Sequence, residues 1–397
     1  MAQLSDRLNR LAPSATLAMS QKSNEMKAQG VDVINMSVGE PDFNTPDHIK
    51  EAGKKAIDDN FSKYSPVPGY MDLREAIVDK LKKENHLDYT TGEVIVGTGG
   101  KQGVCNTILA LVNPGDEVII PAPYWVSYPQ MAKLAGATPV IVRAGFEQDF
   151  KMTAEQLEAA ITPKTKMLIL CSPSNPTGSV YSQEELNALA QVILKHEDIF
   201  VLSDEIYEHI NYVGKAASIA SYPGMKERTI ICNGVSKAYA MTGWRLGWVA
   251  APAWIVKGIN KLQGQYTSGT CDVSQKAAVA AYVASQDCVE QMRVAFERRR
   301  DLIVKLAKDI PGLEVNVPQG AFYLFPKCSS FFGKSNGETV INNSTDFAMY
   351  ILEKAHVATV GGDAFGDPDC FRMSYATSDD NIREAMRRIK EVLAVLK

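Results

Sequence analysis

The chain has 397 residues, 45% of them apolar and 22% charged, with a formal net charge of −4. That length exceeds what a single core usually organises, so two domains are expected in a chain of ordinary globular composition. The slight acidity argues against nucleic acid as the main partner. No apolar run reaches membrane-spanning length, and the polar stretch 1–13 lacks the apolar segment of a secretory signal.

Seven scattered cysteines without a CxxC pair read as free thiols in a reducing, cytoplasmic setting. The five histidines contain no pair at metal-ligand spacing, so no metal is expected. From about residue 90 to 250, short β-branched runs alternate with helix-period segments. The runs are 93–96, 117–120, 139–142, 167–170, 199–202 and 229–232. Nearly continuous apolar strands separated by helices predict an α/β fold, a mostly parallel sheet of about seven strands covered by helices. Ser182-Gln-Glu-Glu185 has the form of a capping box that opens one of those helices.

The charged segment 288–310 predicts one long helix, with Arg298-Arg-Arg300 on a solvated face. Beyond it, 313–317, 321–328, 357–360 and 370–375 predict the strands of a smaller α+β domain. The expected division is a large domain over 45–287 and a small one over 288–397. The N-terminal segment 1–44 is expected to associate with the small one.

Ligands of open α/β sheets collect at the carboxyl ends of the strands, and polar residues stand there in this chain. Gly97-Thr-Gly-Gly-Lys-Gln-Gly103 runs from a strand into a helix, exposing backbone amides suited to a phosphate. It is not a Walker loop, because Ile95 stands where the first glycine is needed and Gln102 where Ser or Thr is needed. Trp125 follows the next strand and fits either ring stacking or core packing. Asn175 sits in the rigid loop Ser172-Pro-Ser-Asn-Pro-Thr-Gly178, which by composition is also a plain turn. Asp204, at a buried strand end, needs a cationic partner or a helix N-terminus. Arg372, between apolar residues on a predicted strand, needs an anion, and a carboxylate suits its fork.

The most specific stretch is Gly234-Val-Ser-Lys-Ala-Tyr-Ala-Met-Thr-Gly-Trp-Arg-Leu-Gly247. A lysine at an apolar strand end loses solvation, its pKa falls, and it becomes a nucleophile toward carbonyls. Ser236 and Arg245 beside Lys237 suit a phosphate dianion. An aldehyde-seeking lysine with a phosphate clamp points to pyridoxal 5′-phosphate.

The whole chain resembles the fold-type I pyridoxal-phosphate enzymes, and specifically the bacterial subgroup-Ib aspartate aminotransferases. The resemblance is carried by Pro13-Ser-Ala-Thr16, Ser37-Val-Gly-Glu-Pro-Asp-Phe43, Lys63-Tyr64, Gly99-Gly-Lys-Gln102, Tyr124-Trp-Val-Ser-Tyr128, Asn175-Pro-Thr-Gly178, Ser203-Asp-Glu-Ile-Tyr207, the Lys237 segment and Arg372. It implies that Lys237 carries the cofactor, in the large domain, and that Asp204 pairs with its pyridine nitrogen. Tyr207 and Asn175 would then bond the ring's phenolic oxygen, and Gly99, Gly100, Ser236 and Arg245 would hold the phosphate, with Lys101 and Trp125 also lining that site. Tyr64 would reach the phosphate of a neighbouring subunit, implying a homodimer with shared sites. Gly39, Trp125, Asn175 and Arg372 would contact the amino acid or 2-oxo acid. Lys101, with the Ser14/Thr16 region, would meet the side-chain carboxylate of aspartate. Ala12 stands where some prephenate-accepting members carry lysine, which argues against prephenate. Alanine, aromatic or prephenate transamination and β-lyase chemistry are the rival readings on the same scaffold. A pyridoxal-phosphate-binding transcriptional regulator would need a basic helix-turn-helix segment, for which the N-terminal stretch is too short.

Overall fold

The computed structural model describes residues 4–397, and its strands follow the apolar runs of the sequence. In chain order they are Ile34–Asn35 (β1), Val94–Gly97 (β2), Glu117–Ala122 (β3), Thr138–Arg143 (β4), Thr165–Cys171 (β5), Phe200–Asp204 (β6), Thr229–Gly234 (β7) and Gly247–Ala250 (β8). Tyr323–Leu324 (β9), Val357–Ala358 (β10), Val360–Gly361 (β11) and Phe371–Ser374 (β12) follow. Seven of them form one sheet in the order β2-β8-β7-β6-β5-β3-β4. Only β8 runs antiparallel to its neighbours.

Every residue of β2 and β7 is buried, because helices cover both faces of this sheet. Burying one such Val, Ile or Leu side chain stabilises the fold by about 1.5–3 kcal/mol. The helix Gln183–Ile193 starts as its sequence dictates. The Ser182 hydroxyl accepts from the Glu185 amide, while the Glu185 carboxylate accepts from the Ser182 amide at 2.7 Å.

The second sheet is β11-β12-β9, antiparallel, and the long helix Asp287–Lys308 lies over its core. The expected strand over 313–317 is reduced to a single bridge between Glu314 and Lys327. Pro326, next to Lys327, has no N–H to extend that ladder. Arg298-Arg-Arg300 is not a solvated face throughout. The Arg299 guanidinium is buried and clamps both oxygens of Asp42, at 2.7 and 2.9 Å. Arg300 donates to the Pro318 carbonyl at 2.7 Å.

The N-terminal segment joins this second sheet's side of the molecule. β1 pairs in parallel with β10, Ile34 opposite Val357, and the Ser374 amide of β12 donates to the Met36 carbonyl. Residues 37–39 are thereby laid against Arg372.

Candidate active site

Nine chain segments meet at one cavity of about 380 Å³. Thr16, Gly39, Gly100, Lys101, Trp125, Asn175, Asp204, Tyr207, Ser236, Lys237, Arg245 and Arg372 all line it. Gly99 lies just behind Gly100, and Ser14 touches Thr16 through a 3.0 Å contact between their hydroxyls. Tyr64 does not join them; its fully exposed ring lies by a separate surface hollow with Lys63 and Cys271. Ser37, Tyr128 and Thr242, which lie in the stretches that carry the resemblance but received no role there, also line the cavity, as does Tyr323, which sequence reasoning passed over. An aromatic residue within an apolar run carries no signal beyond core packing.

Asp204 ends β6 with Cys171 of β5 and Cys232 of β7 as its register partners. A half-buried thiol and a buried one solvate a carboxylate poorly. Loss of solvent pushes the Asp204 pKa up to about 6, against a hydrogen bond from the Tyr128 hydroxyl at 2.7 Å, the Ile206 amide and the Lys237 charge. A buried carboxylate held so high favours a cation brought close to it.

Lys237 follows β7, and its Nζ donates to the Gly39 carbonyl at 2.5 Å. Burial lowers its pKa to about 8; Glu40 and Asp204 oppose that shift, while Arg372 and Arg245 add to it. An amine with that pKa is part-neutral at physiological pH and attacks carbonyls.

The phosphate end depends on close backbone approach. Gly97, Gly247 and Gly234 are register partners across β2, β8 and β7. A Cβ on Gly247 would stand 2.3 Å from the Gly100 amide nitrogen, so only glycine lets the Gly99-Gly100 turn settle against the lysine segment. Gly99, at φ +79°, is also the residue before the helix Gly100–Leu111, and a Cβ there would meet the Arg245 guanidinium at 2.6 Å. A helix N-terminus, the Ser236 hydroxyl and Arg245 therefore converge on one spot that suits a dianion.

Arg372 is buried on β12, where burial lowers its pKa while Tyr323 and Tyr207 oppose that shift. Its Nη1 donates to Asn175 Oδ1 at 2.8 Å and its Nη2 to the Ser37 carbonyl at 2.5 Å. Its Nε has no partner among the described residues. A buried guanidinium with a spare donor fits a small carboxylate. At the solvent end of the cavity, the Lys101 ammonium lies 5.0 Å from the centre of the Trp125 ring. Lost solvation and then Arg245 lower its pKa.

These residues fit pyridoxal 5′-phosphate: a lysine for its aldehyde, a high-pKa carboxylate for its ring nitrogen, a dianion cradle, and an aromatic ring beside them. Glu84, Glu208 and His209 also come within metal-ligating reach of one another. There the buried Lys80 ammonium bonds Glu208, so the cluster already holds its own cation. Burial would raise the Glu208 pKa, yet Lys80, His209 and Asn85 together hold it down at about 2.

A family model described as Aminotransferase class I and II matches residues 31–389. The chain is 49% identical, over the full length of both, to the aspartate/prephenate aminotransferase of Cereibacter sphaeroides. Identity to the aspartate aminotransferase of Pinus pinaster is also 49%, covering 99% of this chain and 81% of that protein. Among solved structures, aspartate aminotransferase from Rhizobium meliloti matches with a TM-score of 0.97 and 42% identity over the whole of both chains. The Thermus thermophilus aspartate aminotransferase with maleate matches at 0.93 and 40%, covering 99% of this chain and all of that one. With a family model spanning most of its length and full-length relatives at 49% identity, this chain belongs to the class I and II aminotransferases.

Proposed function

We infer that the protein is an aspartate aminotransferase, moving the amino group of L-aspartate to 2-oxoglutarate in two half-reactions to give oxaloacetate and L-glutamate. One observation carries the reading: Lys237, Asp204 and Arg372 face a single cavity to which the exposed Lys101 adds a further cation. With Lys237 committed to the cofactor and Arg245 to its phosphate, Arg372 and Lys101 are left as cations for a substrate with two carboxylates. The maleate of the Thermus thermophilus structure is itself a dicarboxylate.

Pyridoxal 5′-phosphate, the cofactor of this family, supplies when bound an electron sink for the charge that develops at the substrate Cα. Lys237 would hold it covalently, Asp204 would keep its ring nitrogen protonated, and Tyr207 with Asn175 would bond its phenolic oxygen. Gly99, Gly100, Ser236 and Arg245 would bind its phosphate end, with Lys101 and the ring of Trp125 lining the site beside them. Arg372, Asn175, Gly39 and Trp125 would fix the amino acid so that its Cα hydrogen faces Lys237. The Nζ of Lys237 takes that proton and gives it back later, which a pKa near the working pH permits. Lys101, with Ser14 and Thr16, would meet the side-chain carboxylate.

Tyr64 is proposed to enter the neighbouring site of a homodimer, since an exposed aromatic ring is otherwise unused here. The pairing of β1 with β10 supports grouping residues 1–44 with a small domain over 288–397, apart from a large domain over 45–287. No helix among the described residues is long and apolar enough to cross a membrane. The seven free thiols suit a reducing compartment such as the cytoplasm.

The test is to add aspartate, glutamate, alanine or phenylalanine singly to the cofactor-loaded enzyme and follow loss of the lysine-bound cofactor absorbance. Aspartate and glutamate should react fastest; a faster reaction with alanine or phenylalanine rejects the dicarboxylate reading. Prephenate is a second acceptor favoured by the names of relatives 49% identical and opposed by Ala12. Offering it in place of 2-oxoglutarate decides between them.

A further inference from the structure

Tyr323, like Asn175, lies between the two ends of the proposed chemistry. It lies on β9 opposite Ser374 of β12, which brings its ring diagonally under Arg372, two residues earlier on the same strand. The Arg372 guanidinium carbon stands 4.7 Å from the centre of that ring. The Tyr323 hydroxyl is 2.7 Å from the Tyr207 hydroxyl and both side chains are buried. A Cβ on Gly39 would run into the Tyr323 hydroxyl, so the oxygen is pressed against the backbone that receives Lys237.

Two phenols in contact can share only one hydrogen in the bond between them, and the better donor gives it. Burial raises the pKa of both, so both stay protonated. Arg372 opposes that rise at both phenols but acts more strongly at Tyr323, whose ring it faces at 4.7 Å. The Lys237 ammonium, 5.8 Å from the Tyr207 ring, is tied up once the cofactor is bound; Tyr323 is then the better donor. With its oxygen already accepting from Tyr323, Tyr207 is left with its own hydrogen free to donate elsewhere. A hydroxyl that accepts a hydrogen bond also becomes a stronger donor.

We propose that Tyr323 is a positioning residue that aims and strengthens the Tyr207 hydroxyl as a donor to the cofactor's phenolic oxygen, and so sets the proton affinity of the lysine–cofactor linkage. This rests on the function proposed above. The groups facing the pair are Arg372, Cys171 and Lys237, with Glu40, Asp204 and Arg245 around Lys237. None of them is altered by removing one phenolic oxygen.

The experiment is a spectroscopic pH titration of the lysine-bound cofactor in the holoenzyme, without substrate, for wild type, Tyr323→Phe, Tyr207→Phe and the double variant. Tyr323→Phe keeps the ring against Arg372 and should raise the midpoint by about half a pH unit, the scale of a weakened hydrogen bond. Tyr207→Phe should raise it further, and adding Tyr323→Phe to it should then change nothing. An unchanged or lowered midpoint in Tyr323→Phe, or an equal rise in the Tyr207→Phe background, overturns the role of Tyr323 alone. A wild type that binds no pyridoxal phosphate through Lys237 overturns both this role and the function it rests on.

Discussion

Arg372 and Asn175, 197 positions apart in the chain, meet through a 2.8 Å hydrogen bond from Nη1 to Oδ1. The bond ties the second sheet to the loop after β5 and aims the guanidinium at the cavity. With Nη2 held by the Ser37 carbonyl and Nε unpaired among the described residues, each nitrogen of the fork has a separate task. Lysine keeps the charge but cannot fill three directions at once. Arg372→Lys should therefore lower kcat/KM for aspartate by about 100-fold, the cost of one or two charged hydrogen bonds. Most of the loss should appear in KM. Steady-state kinetics with an unchanged kcat/KM would remove Arg372 from the substrate site.

The Lys237 amine gives a pH signature in protein stripped of cofactor. Its folded-state pKa, about 8, lies below the ordinary 10.5. Below about 8 both folded and unfolded chains hold the proton, so the group adds no pH dependence. Between about 8 and 10.5 only the unfolded chain holds it, and its contribution to stability rises with pH. The same shift should make the amine react with trinitrobenzenesulfonate with a midpoint near 8. That fast phase should vanish in Lys237→Ala, and a midpoint near 10.5 would show that burial does not activate the lysine.

Asp204 carries the opposite sign. Its folded pKa of about 6 exceeds the ordinary 3.8, so between those values the folded chain holds a proton that the unfolded chain has lost. Stability from this group therefore falls as pH rises through that window and stays low above it. Asp204→Asn relieves the buried charge and should stabilise the cofactor-free protein at pH 8 by about 1–3 kcal/mol, with little effect near pH 4. The same variant should bind pyridoxal phosphate weakly, having no charge for the ring nitrogen. Paired thermal unfolding curves that show no pH-dependent gain would contradict a carboxylate whose burial outweighs its hydrogen bonds.

The central sheet was legible because parallel strands covered on both faces are written as continuous apolar runs, and their polar exits mark the ligand end. The antiparallel β8, Gly247-Trp-Val-Ala250, is as long as β2 but opens on glycine and has a single β-branched residue, Val249, so it lacks the run that marks the others. Arg299 and Arg300 read locally as one solvated charge run. The partner of Arg299, Asp42, lies 257 residues away, and only the fold brings them together. Tyr128 and Tyr323 were illegible for a related reason. Their hydroxyls matter through Asp204 and Tyr207, partners that sequence spacing does not reveal.

Lys101 tests the substrate class rather than the chemistry. Its side chain is exposed and its ammonium reaches the cavity mouth over Trp125. A charge so placed acts on a second carboxylate through partly screened attraction. Lys101→Ala should lower kcat/KM for aspartate roughly 10-fold, but leave the slow reaction with alanine within about 3-fold, since alanine has no side-chain charge. The aspartate loss should shrink at high salt. Equal losses for both amino acids would place Lys101 at the cofactor instead of the substrate.

Tyr64 can be assigned to its own or its neighbour's site by mixing subunits. If each site takes Lys237 from one protomer and Tyr64 from the other, a hybrid of Lys237→Ala and Tyr64→Ala subunits carries both lesions in one site and none in the second. Random pairing of equal amounts makes half the dimers hybrids, so about one quarter of all sites should regain full activity. The assay is run at limiting pyridoxal phosphate, where the Tyr64→Ala parent is weakest and the Lys237→Ala parent is silent. If Tyr64 instead serves its own protomer, every site keeps exactly one lesion and mixing yields no more than the average of the parents. A gain near one quarter identifies a shared site; the parental average rejects it.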